Sequence, residues 1–184
     1  MNNKVQNKVQ NILKKRPASA FITTFLIIIF LLAITSILKI DLCNKDFISN
    51  LYSNFIHFDI LHLLSNIYGL YVLSRIEEQI GYQKFILLIT ILVIINTVFE
   101  TILHKVIDMK CSIGFSAILY GMLSWGLFSG CKKLDYYLFT SVIFDIVSSK
   151  FNTNISLISH FMGILSGIIA SNFLKYDLID INYL

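Results

Sequence analysis

Apolar residues run almost unbroken through six stretches, Ala18 to Leu38, His57 to Leu73, Phe85 to Leu103, Ile113 to Phe128, Leu134 to Val147 and Ile155 to Leu174. Polar and charged residues gather between them. Because the runs are continuous rather than alternating, they read as helices and not as strands of a membrane barrel. The pattern predicts an all-α polytopic membrane protein, a bundle of six transmembrane helices. Several stretches fall short of the roughly 20 residues that a full span requires, which fits helices that begin inside a protein-lined cavity or a locally thinned bilayer. Pro17 stands at the expected start of the first helix, a first-turn position that proline tolerates. The expected organisation is a basic tail over residues 1–17, a membrane domain over 18–176 and a short tail over 177–184. No internal repeat or low-complexity linker interrupts it.

Composition agrees with the pattern. The 184 residues are 56% hydrophobic and 14% charged, and the mean hydropathy is +0.74. A typical soluble domain is about one-quarter charged. The length is used up by six spans and their connections, so no separate soluble domain is expected. The formal net charge of +4 is informative by position. Lys4, Lys8, Lys14, Lys15 and Arg16 all precede the first apolar stretch, which places the N-terminus in the cytoplasm by the distribution of basic residues. With that orientation the inner segments hold ten of the fifteen basic residues. The charge is therefore a topology signal, and a nucleic-acid partner is not expected. A basic start before an apolar run also resembles a signal peptide, but this run is too long for a signal core and further spans follow, so it reads as a retained helix. The absence of a targeting extension suits a bacterial inner membrane. Cys43, Cys111 and Cys131 form no CxxC pair and no zinc spacing, and they are expected as free thiols. Cys43 and Cys111 fall on the external side, where pairing is the alternative.

The candidate chemistry lies in polar residues placed inside apolar stretches. Such groups are costly at membrane depth and are functional-site candidates for that reason. In the orientation above, the second, fourth and sixth helices run from outside to inside, and His57, His62, Asn66, Ser116 and His160 all lie near their starts. They share one depth. Ser116 and Tyr120 are one turn apart on a single face, beside the small residues Gly114, Ala117 and Gly121. His160, Gly163 and Gly167 form a second such face, and the glycine spacing allows close helix approach. If the two faces pack together, His160 reaches Ser116. A serine hydroxyl becomes a useful nucleophile when a neighbouring base takes its proton, and histidine suits that task. His62 and Asn66, at i and i+4, can point donors into the same cavity. A metal site on His57, His62 and His160 is the competing reading, weakened by the five-residue spacing of the first two and by an otherwise unexplained serine. No metal and no cofactor are expected.

The run His57-Phe58-Asp59-Ile60-Leu61-His62-Leu63-Leu64-Ser65-Asn66, then Gly114-Phe115-Ser116-Ala117 with Tyr120, then His160-Phe161-Met162-Gly163 with Gly167, resembles the rhomboid family of intramembrane serine proteases. The likeness runs from the second to the sixth helix. It implies a rhomboid-like bundle in which Ser116 is the nucleophile and His160 the general base, a dyad without a carboxylate. Tyr120 would support the histidine ring, and His62 and Asn66 would join the Ser116 backbone in an oxyanion hole. Glu77, at the inner end of the second helix, would hold a structural hydrogen-bonding position, and His57 would help to order the outer loop. Two departures stand out. Ala117 follows the nucleophile where glycine is frequent in the family, and the stretch from Asp41 to Ile56 lacks the Trp-Arg pair of the family's membrane-embedded loop.

The resemblance implies hydrolysis of peptide bonds in or beside transmembrane helices of other membrane proteins, with the lipid bilayer as the second partner. A non-catalytic relative that binds transmembrane segments is the first alternative, and a small transporter or channel the second. The fifth helix, with Phe139, Phe144 and Asp145, is the family's candidate for lateral entry. Neither the substrate nor the oligomeric state follows from the sequence.

Overall fold

A computed structural model of the chain describes residues 14–37, 46–107, 112–130, 134–149 and 157–175. Every regular element among them is helical. The order is α1 (Pro17–Ile34), α2 (Phe47–Ser53), α3 (Ile60–Leu73), α4 (Arg75–Ile80), α5 (Tyr82–Val106), α6 (Ser116–Phe128), α7 (Leu134–Ser149) and α8 (Leu157–Phe173). Each of the six apolar stretches carries one long helix. The two additional elements, α2 and α4, are short and arise from local polar chemistry that a hydropathy pattern does not register.

Helix α2 begins where the Asp46 carboxylate accepts from the Ser49 amide at 2.8 Å, and α3 begins where Asp59 does the same for His62 at 2.8 Å. Both are N-caps, which satisfy amides that lack an intrahelical partner. Asp59 is thereby a cap. Between α3 and α4 the chain turns at Ser74, whose hydroxyl donates to the Tyr71 carbonyl at 2.6 Å and accepts from Arg16 at 2.7 Å. Gly81 closes α4 with φ of +81°, a left-handed conformation that favours glycine. Glu77 therefore belongs to a separate short helix beyond the second long one.

The first helix is started from outside itself. Arg16, at its N-cap, gives the helix no side-chain cap, and the orphan amides of Ala18 and Ser19 donate instead to the Glu77 carboxylate at 2.7 and 2.8 Å. A carboxylate at a helix N-terminus gains both hydrogen bonds and the dipole. Arg16 also pairs with Glu78 at 2.7 Å. Glu77 is 1% exposed, so removing it strands buried donors, each costing about 1–3 kcal/mol. Glu77→Ala is expected to lower stability by about 3 kcal/mol. A thermal-unfolding comparison with wild type in the same detergent measures the loss.

The bundle is apolar outside and carries many polar groups inside. Phe21, Leu61, Val106 and Phe173 are at least 70% exposed, while Asn50, Asn54, Asn66, Asn96, Thr97, Glu100, Ser124, Ser159 and Ser166 are buried. That distribution suits lipid, where buried polar groups join helices and the exterior meets hydrocarbon. One network binds α2 to α5: Asn50 donates to Thr101 at 3.0 Å, Asn54 to Thr97 at 3.3 Å, and Asn96 to Asn54 at 2.9 Å. The apolar core around Leu26, Leu70, Phe85, Leu92, Phe115 and Trp125 fills the remaining space.

By length and composition α1 and α5 can cross a membrane; α6 and α8 are also apolar but have only 13 and 17 residues. Six full-length spans are therefore not what the helix lengths give. At 1.5 Å per residue α6 extends about 20 Å, well short of a hydrocarbon core of about 30 Å. The two tails expected at residues 1–17 and 177–184 lie mostly outside the described residues, as do Cys43, Cys111 and Cys131, and of α7 the Phe144 and Asp145 side chains.

Candidate active site

Three helix starts, those of α3, α6 and α8, converge at one end of the bundle. The closest helix pair is α6 with α8, and glycine is the reason. A Cβ on Gly163 would stand 2.9 Å from the Ala117 carbonyl carbon and Cα, and closer still to its oxygen. A Cβ on Gly167 would meet the Gly121 backbone and the Ser124 hydroxyl, and one on Gly121 would be 3.2 Å from the Gly163 oxygen. The two backbones thus touch directly. Ser124 adds a hydrogen bond across the seam, donating to the Ile164 carbonyl at 2.9 Å. Ala117 itself is buried, its backbone forming the surface on which Gly163 rests.

This contact sets Ser116 Oγ 2.7 Å from His160 Nε2. For the hydroxyl to donate, Nε2 must be the unprotonated ring nitrogen, which puts the proton of a neutral imidazole on Nδ1. Tyr120, one turn below Ser116, packs its ring over the imidazole with centroids 4.7 Å apart and planes inclined by 31°. Both Ser116 and His160 are only partly buried.

Gly114 is required twice. Its φ of +118° is a left-handed conformation, and a Cβ there would lie 2.7 Å from Cε1 and Nε2 of His62. The absent side chain lets the His62 ring sit against the loop leading to Ser116. The amide of Gly114 donates to the Ser53 carbonyl at 2.9 Å, so the C-terminal end of α2 fixes the loop from its other side. His57 is buried and meets His62 edge-on, centroids 5.0 Å apart. With that packing, and with His160 turned to Ser116, His57, His62 and His160 do not assemble as a ligand triad. Asn66 is buried in the next turn of α3, where its amide nitrogen donates to the His62 carbonyl at 2.8 Å. Its other amide hydrogen remains for a second acceptor. At α6 the first residue is Ser116 and no side chain caps the helix start.

Glu77 stands apart from this cluster, at the opposite end of α3, where it holds α1. Sequence reasoning missed a third group beside the pair. Glu100 of α5 is buried and accepts a hydrogen bond from Ser159, the residue before His160. Asn96, Thr97, Glu100, Thr101 and His104 were its visible signal, a polar face with i, i+4 spacing inside the third apolar stretch.

An apolar-surfaced helical bundle with a serine and a histidine in contact near one end defines a helical membrane protein with a candidate nucleophile and base. The family model described as Rhomboid domain matches residues 44–176, and the chain belongs to the rhomboid family. It is 24% identical over 151 residues to a protein of Acanthamoeba polyphaga mimivirus provisionally named a rhomboid protein, an alignment covering 81% of this chain and 88% of that one. No solved structure matches.

Proposed function

We propose that this protein is an intramembrane serine endopeptidase that hydrolyses peptide bonds in or next to transmembrane helices of other membrane proteins. The observation that carries the reading is the 2.7 Å contact between Ser116 Oγ and His160 Nε2 at one end of a bundle with an apolar exterior. His160 takes the hydroxyl proton as Ser116 Oγ attacks the carbonyl carbon, then returns it to the leaving amine, giving an acyl-enzyme that water hydrolyses by the reverse proton transfers. The tetrahedral oxyanion is received by the Ser116 amide at the uncapped start of α6 together with His62 and Asn66. Tyr120 holds the imidazole plane. The six long helices all serve as membrane segments, the shorter ones in a thinned bilayer, with the N-terminus cytoplasmic and the site towards the outer face. Substrates are helices that unwind locally, because an intact helix shields its peptide bonds.

Labelling of the purified protein in mild detergent or lipid with a fluorophosphonate probe tests this without knowledge of the substrate. Wild type is expected to label, and Ser116→Ala and His160→Ala are not. A folded wild type that stays unlabelled in several lipids sinks the protease reading and favours a non-catalytic binder of transmembrane segments.

A further inference from the structure

Among the described residues two acidic side chains are buried, Glu77 and Glu100. Glu77 is explained by the start of α1. Glu100 lies three-quarters of the way along α5, a helix apolar enough to cross the membrane, where a carboxylate is costly and demands a reason. Ser159, which immediately precedes His160, donates a hydrogen bond to Glu100. Asn96, one turn earlier on α5, and Ser112, in the loop four residues before Ser116, offer further donors beside it.

We propose that Glu100 is a positioning residue for the Ser116–His160 pair, tying the loop that delivers the nucleophile and the first turn that delivers the base to one point on α5. This rests on the protease reading for its consequence in rate, although the tie itself does not. The α6–α8 glycine seam sets the spacing of the two helices, and the Gly114 bond to Ser53 holds one side of the nucleophile loop; the carboxylate adds an anchor where the two helices start. Two oxygens with about four acceptor sites suit three donors, a task that no neutral side chain of similar length performs as well. Misplacing a reacting group by about 1 Å can cost about a hundredfold in rate, so a small release at this point is visible in kinetics.

The full-length protein in mild detergent is treated with a fluorophosphonate at several concentrations, separating probe affinity from the maximal labelling rate constant. In Glu100→Ala and Ser159→Ala the rate constant is expected to fall by about tenfold to a hundredfold with affinity within about twofold of wild type. The double variant should be no slower than the worse single, since both remove one tie. Glu100→Gln, which keeps an acceptor of the same length, should recover part of the rate. In parallel, hydrogen–deuterium exchange should rise in segments 112–118 and 157–163 of both alanine variants. Wild-type rate constants and exchange in these variants overturn the proposal, as does a rate loss that only tracks the fraction of protein unfolded. If Glu100→Ala fails to fold, the single-atom change Ser159→Ala still decides. The two readings fail separately: an unlabelled wild type removes the protease, while the exchange measurement still accepts or rejects the tie.

Discussion

Ser116→Ala is expected to lower turnover of a cleavable transmembrane substrate by about four orders of magnitude or more, and His160→Ala by a similar factor. The two effects should not add, because nucleophile and base act as one unit: without the base the hydroxyl is a poor nucleophile, and without the hydroxyl the base has no proton to take. Folding should be spared. Ser116 Oγ has His160 as its hydrogen-bond partner and both residues are partly exposed, so alanine at Ser116 leaves only a small void. Helix content and melting temperature are therefore expected to stay close to wild type. Substrate cleavage read by gel, with circular dichroism on the same samples, separates chemistry from stability. Cleavage by Ser116→Ala at more than about one-hundredth of the wild-type rate would mean that another group attacks.

Gly163→Ala and Gly167→Ala are expected to produce the largest losses of stability, about 3 kcal/mol or more each. The sign is the informative part. Replacing a mid-helix glycine with alanine ordinarily gains about 1 kcal/mol, because glycine is the more flexible residue in the unfolded chain. Here the added methyl meets backbone, at Ala117 for Gly163 and at Gly121 for Gly167, and backbone cannot step aside as a side-chain tip can. The helices must separate, which also draws His160 away from Ser116. Gly69→Ala is the matched control. Its Cβ would touch only the Cδ1 end of the Leu119 side chain at 2.7 Å, a flexible group, so its effect should stay within about 1 kcal/mol. Thermal unfolding of the three variants distinguishes backbone contact from a general intolerance of added volume.

Helix positions were legible in the hydrophobic pattern because lipid-facing and core residues alike must be apolar, and continuous runs admit few other readings. The stretch read as Leu134 to Val147 became Leu134–Ser149, and that from Phe85 to Leu103 became Tyr82–Val106. Polar elements were less legible. Helix α2 is amphiphilic and seven residues long, and it exists because Asp46 caps it and because Asn50 and Asn54 find partners on α5, a tertiary fact with no periodic trace. Among site residues, Ser116, Tyr120, His160 and the glycines were visible because a helical face can be counted off in threes and fours. Glu100 was passed over for the opposite reason: its partners Ser112 and Ser159 lie on other segments, and only folding brings them to it.

The seam between α6 and α8 has a mechanical consequence. Ser116 and His160, the proposed nucleophile and base, are carried on two helices joined backbone to backbone, with no compressible layer of side chains between them. When the surrounding bilayer thickens, thins or bends, the pair tilts as one body, and the distance between its reactive atoms does not record the deformation. On the proposed function, a host whose lipids change with temperature or growth phase can alter which helices arrive at the site without detuning the proton transfer between Ser116 and His160.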